Sequence, residues 1–177
     1  MRALGPGSLS SFLQIILDVF YWALWVACFG VAVAVLAVLL VSFHPQLLRP
    51  DIKIDHIPLD PATVGPTLAL VLGSIEIYLV GVIVIVGRLR RIVATMTAGD
   101  PFHPDNVRRL QFVGLVLALL EIGRYIAMGL SQTVLHGKLH LGGGVNLTAW
   151  FAVLVIVVLA EVFREGARLR RDAELTI

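Results

Sequence analysis

Charge is scarce in this sequence. Asp, Glu, Lys and Arg together supply 15% of the 177 residues, against 58% hydrophobic residues, a ratio that a water-facing surface cannot easily accommodate. Lipid is therefore the solvent for most of the chain. Cysteine is nearly missing as well. Cys28 stands alone inside an apolar run, which excludes a disulfide framework and a cysteine-based metal motif and leaves a small apolar packing residue. Further absences narrow the function. There is no glycine-rich phosphate loop, no His-Glu-x-x-His helix, and no serine or cysteine nucleophile with an evident base. Neither an enzyme nor a cofactor or metal requirement is expected.

What the sequence does have is four long apolar runs. Crossing a hydrocarbon core about 30 Å thick takes roughly 20 apolar residues, because a helix rises about 1.5 Å per residue. The runs cover about residues 19–43, 66–87, 111–135 and 147–163. They predict an all-α membrane protein, a four-helix transmembrane bundle in one domain over 1–177, with short extracytoplasmic loops. The first run is longer than a secretory signal core, and no small-residue cleavage pattern follows it.

Positive charge sets the orientation. Arg2 in the N-terminal tail, Arg88, Arg90, Arg91, Arg108 and Arg109 in the segment 88–110, and Arg164, Arg168, Arg170 and Arg171 in the tail 164–177 make ten on one side. Arg49, Lys53 and Lys138 make three on the other. The positive-inside rule then places both termini and the central loop in the cytoplasm.

The connections carry their own signals. After Gly87, Leu89, Ile92, Val93 and Met96 recur at helical spacing with arginines opposite. The second helix is thus expected to continue along the inner membrane surface, its arginines held by anionic headgroups. Gly99 offers a C-terminal cap, Pro104 suits the first turn of the next helix, and Phe102 is placed to staple onto Val107. On the outer side, Pro45, Pro50, Pro58 and Pro61 argue against a helix over 44–65, and Pro66 opens the next one. The alternation over 51–55 predicts a short extended segment, with a small β pairing to 138–141. Asn146 is a suitable N-cap for the fourth helix.

Three charges fall near the middle of the runs: Glu76, Glu121 and Arg124. Glu76 lies twelve residues from Arg88 and Glu121 twelve from Arg109, about 18 Å in each case. The two levels match, and Tyr78 and Tyr125 are near enough to add hydrogen bonds. A charge at mid-bilayer costs at least about 2.5 kcal/mol on insertion scales, so this intramembrane polar cluster should face the bundle interior. One reading is a buried ion pair that fixes helix register; the other is a proton-linked relay or a polar ligand pocket. Both stay open. Glu161, Arg164, Glu165 and Arg168, spaced three or four apart, read as a solvated helical face. His44, His56, His136 and His140 in the outer loops have no metal-ligand spacing and read as solvent-exposed, while His103 in the inner turn reads as structural.

Two segments resemble a known family. Leu89-Arg90-Arg91-Ile92 through Gly99-Asp100-Pro101-Phe102, then Asn106 and Arg109-Leu110, is similar to the inner-loop signature of the bacterial DUF2975 membrane proteins. Leu159-Ala160-Glu161-Val162-Phe163-Arg164-Glu165-Gly166, followed by Leu169 and 172–177, resembles that family's closing motif. The resemblance implies a multi-pass protein of the bacterial cytoplasmic (inner) membrane, with Arg91, Gly99, Pro101, Phe102, Asn106, Arg109, Leu110, Glu161, Phe163 and Gly166 as its cytoplasmic motif. The family's biochemical role is unknown. Its members are often encoded beside a small helix-turn-helix transcriptional regulator, which implies such a protein as cytoplasmic partner, with no direct nucleic-acid binding by the membrane chain itself. The outer loops depart from the family pattern.

The expected function is a regulatory or sensory membrane protein acting through a cytoplasmic partner. The alternatives are a small transporter or proton-coupled carrier using Glu76, Glu121 and Arg124, and a structural subunit of a membrane complex. The lipid bilayer is the one certain partner, and a homo-oligomer is compatible with any of the three.

Overall fold

The computed structural model describes residues 9–44, 61–99, 102–134 and 144–174. It contains four helices, α1 (Leu9–Phe43), α2 (Pro61–Thr97), α3 (Pro104–Val134) and α4 (Leu147–Glu174), and no strand among the described residues. The pairing expected between 51–55 and 138–141 lies outside the described residues, as do Pro101, His56, His136 and His140.

Each helix carries a stretch long and apolar enough to cross a membrane: Ser11–Phe43, Leu68–Thr97, Pro104–Gly129 and Leu147–Ala173. Large apolar side chains are exposed around these helices, among them Phe12, Trp22, Phe29 and Phe43 on α1. Water would reject such a surface, whereas hydrocarbon is its natural solvent. The chain is an all-α, multi-pass membrane protein.

The helices outrun the apolar segments that announce them. α1 begins at Leu9, and α2 begins at Pro61, a residue read from sequence as part of the loop. Proline is tolerated there because a first-turn N–H has no intrahelical partner to lose. At its other end α2 runs unbroken to Thr97, and Ile92 and Val93 are buried. Ile92 forms a core cluster with Leu110 and Ala160, against which Leu89 and Phe163 pack. The apolar face of 89–96 is thus turned into protein. The expectation that it lies on the membrane surface is corrected, because α3 and α4 continue far enough to cover it.

The chain divides into two compact units, one comprising 1–23 with 81–177 and the other Leu24–Val80. In the first, α3 and α4 pack antiparallel, with Val113 almost fully buried. Gly114 admits Ile156 of α4 at a distance where a Cβ would just touch, and Gly81 of α2 receives the Leu120 side chain of α3. In the second unit, Leu24 and Cys28 of α1 are buried. There Gly65 lets α2 approach α1 so closely that a Cβ would stand 2.8 Å from the Ser42 hydroxyl.

Candidate functional site

At the arginine-rich end of the first unit, α2 and α3 are locked by their own turn. α2 ends on Gly99, which adopts a positive φ of 85°, and its N–H donates to the Met96 carbonyl at 3.1 Å. Glycine takes that left-handed conformation without the Cβ penalty. His103 caps α3: its Nδ1 accepts from the Asp105 N–H at 3.2 Å, and Pro104 fills the first helical position.

Asn106, with no exposed surface, is the centre of the lock. Its Nδ2 donates to Thr95 Oγ1 at 2.7 Å, and Thr95 donates in turn to the Ile92 carbonyl at 2.7 Å. Its Oδ1 accepts from Arg109 Nη1 at 3.0 Å, and the same nitrogen donates to the Arg91 carbonyl at 3.2 Å. Arg109 also lies 3.9 Å from the Asp105 carboxylate. A buried amide is tolerated only when its donors and acceptors are met, and this one is met from both helices.

α4 closes the same structure. Phe102, expected to staple onto Val107, lies against Gly166, and its ring centroid is 5.8 Å from that of Phe163. The two segments that carry the family resemblance are therefore one structure: Phe102 and Leu110 from one side meet Ala160, Phe163 and Gly166 from the other, while Asn106 and Arg109 tie the first segment to α2. Gly99 and the Arg91 side chain are exposed at its edge. Glu161 points outward and accepts from Arg164 at 2.5 Å.

Three contacts here had no sequence signal. Asp18 of α1 forms an ion pair with Arg90 of α2, and the Arg90 guanidinium stacks 4.4 Å from the Tyr21 ring centroid. Arg88 lies 4.7 Å over the Phe112 ring of α3. Asp18 precedes the first apolar run, in a stretch whose helical continuation only the structure reveals.

Beyond Phe163, α4 continues as a charged helix. Glu165 pairs with Arg168 at 3.0 Å, and both side chains are at least half exposed. Arg164, Glu165, Arg168, Arg171 and Asp172 line an open cleft on this face.

At the opposite end of the first unit, Glu121, Arg124 and Tyr125 are brought together. Arg124 Nη2 donates to Glu121 Oε1 at 2.6 Å and to the Gly144 carbonyl at 3.2 Å, and its guanidinium lies 4.8 Å over the Tyr125 ring. The Tyr125 hydroxyl accepts from the Asn146 N–H and from Trp150 Nε1, each at 3.2 Å. Asn146 caps α4, its Oδ1 accepting from the Ala149 N–H at 3.3 Å.

Sequence reading puts Arg124 at mid-span. Because α3 starts at Pro104, Glu121 lies about 26 Å along it. Gly144, which Arg124 reaches, precedes the first residue of α4 by three positions. The long side chain thus carries its charge to the level where α4 begins, as arginines near span ends do.

Glu76 belongs to the second unit. Its Oε1 accepts from Cys28 Sγ at 2.9 Å, while Oε2 is buried with no hydrogen-bond partner among the described residues. Tyr78 in the same unit is more than half exposed. The sequence reading of Cys28 as an apolar packing residue thus misses a thiol that serves as the donor to a membrane-embedded carboxyl.

These features define a class, the multi-pass α-helical membrane protein whose arginine-rich end is a packed, hydrogen-bonded lock. The family follows from a direct match. Residues 44–177 match the family described as protein of unknown function, DUF2975, and the chain belongs to it. No curated protein and no solved structure matches the chain.

Proposed function

We propose that the chain is a regulatory or sensory protein of the bacterial cytoplasmic membrane, with both termini and the arginine-rich lock inside the cell. It would act through a cytoplasmic protein that docks on the charged end of α4. The observation that carries this reading is a division of labour within the motif. Asn106, Leu110, Phe163 and Gly166 are turned inward, whereas Arg164, Glu165, Arg168 and Arg171 form an ordered, exposed charged face that a partner can recognise. Excess arginine at this end supports the cytoplasmic orientation. A small helix-turn-helix regulator is the partner that the family resemblance favours.

Photo-crosslinking from position 168 in native membranes, read by mass spectrometry, tests the reading. A single cytoplasmic protein captured from position 168 and lost when Arg164→Glu/Arg171→Glu is added is the expected result. Accessibility of an Ala173→Cys variant, in a Cys28→Ala background, to an impermeant reagent on intact cells would remove the orientation.

A second reading is favoured by Glu76 Oε2, which is buried with no donor among the described residues. An intramembrane carboxyl without a full set of partners is suited to carrying a proton or a cation. In that case flux through liposomes containing the purified chain falls in Glu76→Gln, and unchanged flux dismisses the carrier.

A further inference from the structure

The arginines at the α2–α3 turn have different fates. Arg90 is engaged by Asp18 and Tyr21, and Arg109 by Asn106, Asp105 and the Arg91 carbonyl. Arg91 and Arg108 are exposed, and no carboxylate among the described residues pairs with either side chain. Asp105, nearest to Arg108 in sequence, is directed to Arg109 and His103.

Contacts between the two helices fix their register. Arg88 lies over Phe112, and Asn106 reaches Thr95 one turn from Arg91. From Arg88 to Arg91 is three residues toward the turn along α2, and from Phe112 to Arg108 four residues toward it along α3, about 4.5 and 6 Å of rise. Residues at those spacings share a face. Arg91 and Arg108 therefore stand at one depth, on the side where Arg88 crosses to α3. The other side of the pair carries Ile92 and Leu110 into the cluster with Ala160 of α4.

Below Arg108 the same stripe of α3 continues as Phe112, Leu115 and Leu119, all exposed and apolar. A paired positive head above an apolar track has the shape of one ligand class. Arginine forks match phosphate oxygens in a bidentate manner, and two like charges without a counter-ion among the described residues favour an anion over a zwitterion. We propose that Arg91 and Arg108, backed by Arg88, bind the phosphate of an anionic phospholipid in the adjoining leaflet, with an acyl chain lying along Phe112, Leu115 and Leu119. The site requires only that the chain sits in a bilayer, and is independent of which side faces the cytoplasm.

The test uses the full chain in nanodiscs of equimolar phosphatidylcholine and phosphatidylglycerol, with retained lipids counted by native mass spectrometry. Wild type is expected to retain phosphatidylglycerol preferentially. The preference should fall about five-fold for each arginine lost in Arg91→Gln/Arg108→Gln, while Arg164→Gln/Arg168→Gln, an equal loss of charge elsewhere, leaves it unchanged. Circular dichroism establishes that the variants are helical. Where the double variant does not fold, Arg108→Gln alone is read, and an unchanged preference there overturns the site. Equal retention of both lipids by wild type, equal losses in the two double variants, or displacement by millimolar inorganic phosphate would each overturn it too, the last by showing a free-phosphate site.

Discussion

Gly166 lies so close beneath the ring of Phe102 that a Cβ built on it would stand 2.5 Å from Cε1 and 2.6 Å from Cδ1. The ring also packs against Phe163, so displacing it costs that contact. Gly166→Ala should therefore destabilise the chain by about 1–3 kcal/mol, the usual range for overpacking, even though alanine is the better helix former. Thermal unfolding in detergent, followed by circular dichroism, measures this. A stability equal to or above that of wild type would show that the contact is loose. Gly166→Ala/Phe102→Leu should recover part of the loss.

Asn106 joins α2 and α3 through Thr95 and Arg109. Asn106→Leu removes the donor to Thr95 Oγ1 and one acceptor of Arg109 Nη1, leaving them only the Ile92 and Arg91 carbonyls, a change worth about 1–3 kcal/mol. Hydrogen exchange should locate the effect, with protection lost first over 95–109. Loss confined to the distant ends of the helices would mean that the amide is not the lock.

The Asp18–Arg90 pair is partly exposed, with side-chain accessibilities of 40% and 30%. Such a pair contributes at most about 1 kcal/mol and is screened by salt. Asp18→Asn should lower the unfolding temperature slightly in dilute buffer and not at all in molar salt. Arg90→Ala should cost more than Asp18→Asn under both conditions, because it also removes the contact with Tyr21.

Glu121 is 8% exposed and its partner Arg124 33%. Removing the arginine leaves a buried carboxylate without its main donor, whereas removing both leaves neither stranded. Arg124→Gln should therefore destabilise more than Glu121→Gln/Arg124→Gln does. A double-mutant cycle in detergent unfolding reads the coupling directly, and additive single effects would rule the pairing out.

Four helices and their approximate limits are legible in the sequence because lipid imposes a length and an apolar content that few other structures share. The turn is legible too, since Gly99 and Pro104 can each do little else at those positions. Partners are harder to read. Asp18 precedes the apolar run, and a pattern search that starts at Val19 cannot see that α1 begins at Leu9. Arg124 reads as mid-span because a residue's depth is judged from its Cα, whereas its guanidinium is several bonds away and reaches Gly144. Cys28 becomes a donor to Glu76 only when two helices are aligned, which composition does not dictate. Phe102 is equally able to cover Val107 or α4, and the absence of a side chain at Gly166 decides between them.

Arg91 contributes a carbonyl to Arg109 and sends its guanidinium to the exterior. The peptide oxygen is present whatever amino acid occupies that position, so tethering at 91 is indifferent to mutation there. Substitution at 91 is thus a clean probe of what the outward charge meets, while substitution at 109 always conflates scaffold with surface.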